Sequence, residues 1–188
     1  MKKTFTISVF SEDVVGLLNR VTIIFTRKKV NIQNIITSET EIKGVYRYTI
    51  VVTETEDQVK KLIRLIERQV EVMKAFYFTD TDLVSREMAL YKISNMAITD
   101  NVEFIKVMNE YNAKIVSISY DYVVVEKAGS EEKIKGLFEA LERFGILEFS
   151  RSGKVAVSKP MRTLSYYVDR LEQQSKLTNK TDSKHGKN

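Results

Sequence analysis

The residues with the clearest chemical potential stand where an alternating apolar run gives way to a run with helical spacing. They are, in order, Asp13, Val14, Val15, Gly16, Leu17 and Leu18. An acidic residue and a glycine at such a junction are typical of the start of a helix, where the first backbone amides lack acceptors within the helix. Those amides attract an anion. A carboxylate could therefore bind at the amides and an ammonium group at Asp13, which are the two charges of a free amino acid.

The same stretch also allows a purely structural interpretation, in which Asp13 caps the helix and Gly16 relieves a tight turn. Asn31 and Asn34 pose the same question, because asparagine is depleted in strands and both lie among β-branched residues. Their amides could reach a ligand or close a local bulge. Arg20 and Arg27 are expected to be solvated residues on the face of the helix. Residue spacing alone leaves the ligand-binding and structural interpretations open.

Other kinds of chemical site are excluded by residue type. The chain has no cysteine and a single histidine, His185, which lies in a polar stretch near the C-terminus. This excludes thiolate nucleophiles, cysteine-ligated metals and a Ser-His-Asp triad in the folded part. Neither G-x-x-x-x-G-K-[ST] nor G-x-G-x-x-G, the two glycine motifs that bind nucleotide phosphates, occurs in the sequence. The spacing of the many carboxylates selects no pair for acid–base catalysis. The sequence therefore predicts no catalytic residue, no metal site and no cofactor bound to this chain.

The net charge of +5 first suggests a nucleic-acid partner. Residues 176–188 hold four lysines and one aspartate, a net charge of +3, so the rest of the chain is close to neutral. The run from Lys43 to Tyr48 resembles an RNA-recognition motif, but its tyrosines occupy the wrong alternate positions. Val45 and Arg47 stand where the base-stacking aromatics belong. We therefore expect no nucleic-acid partner.

Nothing in the sequence indicates a membrane protein. No apolar run approaches the roughly 20 residues that a spanning helix needs. The first residues alternate in polarity and do not form the apolar block of a signal peptide. We expect a cytoplasmic protein without a membrane partner.

Apolar spacing predicts the element order strand, helix, strand, strand, helix, strand, and the order then repeats. The predicted strands cover residues 5–9, 30–37, 46–52, 69–78, 87–93, 114–119, 122–126 and 146–149, with helices around 17–28, 59–66, 101–111 and 134–141. A βαββαβ unit folds as a ferredoxin-like sandwich with both helices on one face of an antiparallel sheet. The sequence thus predicts an α+β chain of two tandem ferredoxin-like sandwiches.

Residues 79–82 are the natural boundary, because they are polar between two apolar strands. We assign residues 1–80 to the first domain, 83–158 to the second and 159–188 to an extension. Beyond Pro160, the spacing of Leu164, Val168 and Leu171 predicts a short amphipathic helix, and residues 175–188 a disordered basic tail. A half of about 75–80 residues has only a marginal core, so pairing with the other half or another chain is expected.

Three segments together resemble a known family. The first combines Glu12, Asp13, Gly16, Leu18, Arg20, Val21, Phe25, Val30, Asn31 and Ile32 and is similar to the ACT domain. With residues 85–93 (SREMALYKI) and 150–153 (SRSG), it resembles the small regulatory subunit of acetolactate synthase, also called acetohydroxyacid synthase. The resemblance covers roughly residues 4–158. Asp13 stands where members of the family often carry asparagine, and the chain continues past the usual family end.

The resemblance implies a subunit without catalysis of its own. It would bind and activate a large catalytic subunit that holds thiamine diphosphate and Mg²⁺, with FAD as a third candidate cofactor. It would also confer feedback inhibition by a branched-chain amino acid, usually valine. The effector would lie between the ACT domains of a homodimer. One chain would supply Asp13, Val14, Val15, Gly16, Leu17 and Leu18, and the other Asn31 and Ile32.

The alternative is a stand-alone ACT-type amino-acid sensor that regulates another enzyme. The second half discriminates between the two hypotheses, because a lone sensor has no need for residues 87–153.

Overall fold

The computed structural model describes residues 1–98 and 101–159 of the 188-residue chain. This part of the chain forms two compact units. The first comprises Met1–Val84 together with the described residues from Val157 onward, and the second comprises Ser85–Ala156. Each unit has its own antiparallel sheet and its own hydrophobic core.

The first unit follows the order βαββαβ. Its elements are β1 (Lys3–Glu12), α1 (Leu17–Arg27), β2 (Ile32–Glu39), β3 (Val45–Glu54), α2 (Glu56–Ile66) and β4 (Val72–Phe78). The strands form one sheet in the order β2-β3-β1-β4, so β1 is central and β2 is an edge. A 3-10 turn at Asp80–Asp82 follows β4.

Both helices of this unit pack on one face of its sheet. Alternation along β1 sends Phe5, Ile7 and Val9 to that face, where they are buried against the apolar stripes of α1 and α2. Tyr48 of β3 lies in the same core and is only 5% exposed. It is therefore inaccessible for base stacking, in agreement with the strand register inferred from the sequence.

The ends of α2 and α1 have local causes. The Thr55 hydroxyl accepts a hydrogen bond from the Gln58 amide, and Glu56 and Asp57 follow in the first turn, where acidic side chains favour the helix dipole. At the end of α1, Lys29 has a φ of 55°, which turns the chain out of the helix. These signals set where α2 begins and where α1 ends.

The second unit repeats the pattern with two additions. Its elements are β5 (Leu83–Ser94), the short α3 (Asn95–Ile98), α4 (Val102–Glu110), β6 (Lys114–Ile118), β7 (Tyr122–Gly129), α5 (Glu131–Leu141), β8 (Ile146–Arg151) and β9 (Val155–Ser158). The first two residues of β5 and the last two of β9 are counted with the first unit. The sheet order is β6-β7-β5-β8, and β9 pairs with β5. Tyr91 is buried in the core and donates a hydrogen bond of 2.8 Å to the Ile134 carbonyl. Burial raises the pKa of Tyr91 to about 12.

The predicted fold class, two tandem α+β sandwiches with antiparallel sheets, is confirmed. The largest difference in element bounds lies at β5, which begins four residues before the predicted strand because Leu83 is buried at its start. The predicted helix at Leu164, Val168 and Leu171 and the predicted tail at residues 175–188 lie outside the described residues.

Candidate functional site

The start of α1 is formed by a glycine and not by a capping side chain. Gly16 is the residue before the helix, with φ 84° and ψ −6°, a left-handed conformation that L-residues adopt only with strain, and no side chain caps this helix end. The Leu17 amide donates to the Val14 carbonyl at 3.2 Å, and the Arg20 amide donates to the Gly16 carbonyl at 3.1 Å. The amides of Leu18 and Asn19 lie between them, at the helix end where N–H groups lack intrahelical acceptors.

The interpretation of Asp13 as the helix cap is wrong. Asp13 lies three residues before Gly16, and its side chain is exposed and makes no capping hydrogen bond. The reason is that the backbone of Gly16 itself turns the chain into the helix, so no side chain is needed there. The carboxylate of Asp13 is instead presented at the surface of the loop.

The predicted loop residues divide into a buried and an exposed group. Leu17 is fully buried in the first core, and Val14 is half-buried. Val15 is fully exposed, and Leu18 is 40% exposed. Two apolar side chains thus project into solvent beside a helix end, an arrangement that suits a small ligand or a second protein surface.

Sequence reasoning missed the residues that hold this loop in place. The Arg20 guanidinium donates to the Glu71 carboxylate at 2.7 Å between Nη2 and Oε1, so Arg20 is not simply solvated. The Glu12 amide donates to the Glu71 carbonyl at 3.0 Å. The hydrogen bond from Arg20 lowers the pKa of Glu71. The neighbouring Val70 is highly exposed although it is apolar. Its position between polar Gln69 and Glu71 was the only feature of the sequence that could have pointed to these residues.

Asn31 and Ile32 lie at the opposite end of α1 from Gly16. The helix has 11 residues, which corresponds to about 16 Å at a rise of ~1.5 Å per residue. Asn31 is exposed just before β2, and Ile32 packs on the first core. A register shift between Ile32 and Asn34 puts the local bulge where the sequence allowed one. Within one chain, the predicted site residues therefore form two separate groups.

The second unit exposes a large set of apolar side chains. They include Met88, Val102, Ile105, Ile115, Val116, Ile118, Tyr120 and Leu147. All five residues of β6 are exposed, and β6 is an edge strand of its sheet. An exposed apolar edge strand is a ready template for association with another chain. The exposed edge strand β6 is therefore the strongest candidate for a protein interface in the second unit.

The described residues form neither a metal-binding cluster nor a membrane-spanning helix. Within residues 1–98 and 101–159, no three histidine, aspartate or glutamate side chains are grouped to hold a metal ion. No helix in the described part of the chain is long and apolar enough to cross a bilayer.

Comparisons with known proteins cover both units. The ACT domain family matches residues 5–71, and the family described as the small subunit of acetolactate synthase matches residues 86–160. The fold and these matches define a regulatory subunit with an ACT domain at its N-terminal end.

Curated relatives match across the same span. An acetolactate synthase small subunit of Bacillus subtilis is 35% identical over 160 residues, which is 85% of this chain and 91% of the relative. Its counterpart in Mycolicibacterium smegmatis is also 35% identical, over 159 residues covering 85% and 93%. The chain therefore belongs to the acetolactate synthase small subunit family, and its role is regulatory rather than catalytic.

A solved structure shows the same fold. The acetolactate synthase small subunit of Thermotoga maritima superposes with a TM-score of 0.77 at 24% identity, covering 85% of this chain and 99% of that one.

Proposed function

We propose that this chain binds and activates the catalytic subunit of acetolactate synthase and makes it responsive to a branched-chain amino acid. In this proposal the second unit contacts the catalytic subunit. The first unit binds the effector together with the first unit of another copy. Thiamine diphosphate and Mg²⁺, with FAD as a third candidate, belong to the catalytic partner. Membership of the family supports the existence of that partner.

The main support for the proposed effector site is the uncapped start of α1 at Gly16. Because no side chain occupies this helix end, the amides of Leu18 and Asn19 can receive the carboxylate of a ligand, with a dipole contribution of about 0.3–1 kcal/mol. Asp13 supplies a surface carboxylate for the ammonium group. Val15 and Leu18 offer apolar contact to an aliphatic side chain. This combination fits valine, leucine or isoleucine better than a charged or large aromatic amino acid.

The separation of the two residue groups supports a homodimer. Asn31 and Ile32 follow the far end of α1, so an effector as small as valine cannot reach them and Gly16 within one chain. A second copy placed with its β2 end against the start of α1 would bring the groups together. Among the described strands, β2 is an edge strand of the first sheet. One side of β2 is therefore open to pairing with a second copy.

The exposed apolar surface of the second unit supports its proposed contact with the catalytic subunit. Ile118 and Tyr120 stand at the end of the edge strand β6 and in the turn that follows it, and both are largely exposed. Burial of such side chains stabilises an interface by about 25 cal/mol per Å² of apolar area removed from water. A truncated chain ending at Asp82 lacks this surface, so it should activate the catalytic subunit less than the full chain does.

A surface variant of the full chain tests the same contact without truncation. We expect Ile118→Asp to reduce activation in an acetolactate-formation assay with the purified catalytic subunit, because a charge would be buried at the interface. Lys61→Asp, on an exposed position of α2, is the matched control and should activate normally. Equal activation by both variants, or full activation by the truncated chain, would place the contact elsewhere.

The same assay with added valine, leucine and isoleucine tests the effector site, and calorimetry on the isolated full chain tests binding directly. A chain that binds one of these amino acids but never associates with the catalytic subunit would favour the stand-alone sensor.

A further inference from the structure

Glu71 joins the two ends of the loop that leads into α1. The Arg20 guanidinium, in the first turns of α1, donates from Nη2 to Glu71 Oε1 at 2.7 Å. The backbone carbonyl of the same Glu71 accepts a hydrogen bond of 3.0 Å from the Glu12 amide at the end of β1. One residue thus binds the chain on both sides of residues 13–16. We call these two contacts the Glu71 clasp.

The loop inside the clasp is weakly held by the core. Residues 13, 15 and 16 are exposed, and residue 14 is half-buried. No side chain caps the helix end that follows. Leu17, Val21 and Phe25 are buried and attach α1 to the first core. The core therefore secures the formation of α1, whereas the orientation of its first turn relative to β1 depends on the clasp.

The ion pair of the clasp costs more to break than an ordinary surface pair. The Glu71 side chain is only 20% exposed, and that of Arg20 is 43% exposed. The Glu71 Oε2 atom is buried and accepts no hydrogen bond from the described residues. Removal of Arg20 would leave a carboxylate shielded from water and without its cation. The segment around Glu71 must then shift to hydrate the carboxylate, and both ends of the loop move with it.

We propose that the Glu71 clasp positions the effector loop, because it fixes the orientation in which the amides of Leu18 and Asn19 face the ligand. This inference rests on the effector site proposed above and adds Arg20 and Glu71 to it as positioning residues, neither of which needs to touch the effector. Without the clasp the loop divides among several orientations, and only molecules in the competent orientation bind. If that fraction falls to about one fifth, the apparent Kd rises about fivefold.

Calorimetry on the full chain with valine, leucine and isoleucine tests the role of the ion pair. Arg20→Met and Glu71→Met should each raise the effector Kd about fivefold. Both variants keep the backbone bond from Glu12, so they remove only the side-chain half of the clasp. The double variant should lose no more affinity than the weaker-binding single variant, because the two substitutions remove one contact.

The ion pair between Lys74 and Glu67 is the matched control. Lys74 Nζ lies 2.6 Å from Glu67 Oε1, and the two side chains are 40% and 28% exposed, close to the values for Arg20 and Glu71. This pair joins the residue after α2 to β4, so its removal leaves the contacts of residues 12–20 in place. Lys74→Met and Glu67→Met should lower Tm by a similar amount, up to about 4 °C, with the effector Kd unchanged.

Two further measurements separate positioning from a loss of stability. Exchanging the charges, with Arg20→Glu and Glu71→Arg in one chain, should recover part of the effector affinity that Arg20→Glu alone loses. Amide hydrogen exchange reports on the loop without any effector. The Leu17 and Arg20 amides, which donate to the Val14 and Gly16 carbonyls, should exchange faster in Glu71→Met than in Glu67→Met.

The possible outcomes distinguish this inference from the effector site itself. Unchanged effector Kd in Arg20→Met and Glu71→Met, or an equal loss of affinity in the Lys74 and Glu67 variants, would overturn the positioning role. If the unmodified chain binds none of the three amino acids, the proposed effector site is wrong. Hydrogen exchange then decides whether the clasp positions the loop, and equal exchange in Glu71→Met and Glu67→Met would show that it does not.

Discussion

Replacing Gly16 with aspartate should abolish the response to the effector while leaving the fold and the activation of the catalytic subunit intact. The new carboxylate would stand where the carboxylate of the amino acid approaches the amides of Leu18 and Asn19. An acidic residue near a helix N-terminus is favourable for the helix itself. The substitution therefore separates ligand binding from helix formation.

The cost to binding follows from the exposure of the loop. Two like charges about 4 Å apart repel by about 1 kcal/mol in water and about 4 kcal/mol at an effective dielectric of 20, which correspond to roughly 6-fold and 1,000-fold losses of affinity. Asp13, Val15 and Gly16 are exposed within one chain, which favours the lower value. Enclosure of the site by a second copy moves the effect toward the upper value. We expect effector affinity to fall at least tenfold.

The cost to folding comes from the backbone alone. A Cβ built at Gly16 meets no heavy atom within 4 Å, but the φ of +84° is strained for any L-residue. That strain is roughly 1–2 kcal/mol, and less for aspartate and asparagine, which tolerate this region. Among the described residues, a side chain at position 16 therefore meets no steric obstacle, and it would crowd only the ligand or a second chain.

Gly44 provides a matched control in the same unit. It has a φ of +81° and equally open surroundings, in the turn between β2 and β3. Calorimetry with valine, leucine and isoleucine, and activation assays with each amino acid, should be run on Gly16→Asp, Gly44→Asp and Gly16→Asn. The two aspartate variants should lose similar stability, but only Gly16→Asp should lose the effector, and Gly16→Asn should be intermediate because it lacks the charge.

Several results would refute this reasoning. Parent-like effector binding by Gly16→Asp would show that the helix end is not the site. An equal loss of binding in Gly44→Asp would attribute the effect to stability. Unfolding of Gly16→Asp with a folded Gly44→Asp would make Gly16 a turn residue with a purely structural role.

Three further expectations concern pH and assembly. Burial raises the pKa of Glu87 above its ordinary value of 4.5 despite the nearby Arg151. The unmodified chain therefore loses folding stability as the pH rises through the raised pKa. Glu87→Gln should gain stability relative to the unmodified chain between pH 4 and pH 7, as measured by urea denaturation. The pKa shift of Glu71 has the opposite sign: its lowered pKa contributes folding stability above pH 4.5 that is lost in acid. The loss of stability caused by Glu71→Gln should therefore be full at pH 7 and shrink as the pH falls. A loss that stays constant with pH would contradict the stabilising effect of Arg20. Light scattering at micromolar concentration should show a homodimer, and a monomer with intact effector binding would contradict the divided site.

The fold was predictable because its periodicities are strong. Phe5, Ile7 and Val9 alternate at period two, and Val59, Leu62 and Ile66 follow helical spacing, so both element types could be recognised without structural information. The bounds were less predictable, because tertiary burial extends strands beyond their alternating part. Leu83 shows this: it starts β5 directly after the polar residues 79–82.

The local geometry of the candidate site was predictable only in part. Gly16 was identified correctly as a residue with a special role at a helix start, because few other residues adopt a left-handed conformation cheaply. The role of Asp13 could not be predicted, since the choice between a side-chain cap and a backbone turn depends on the path of the loop. Glu71 was missed because its contact with Arg20 spans 51 positions, and no local pattern records such a pairing.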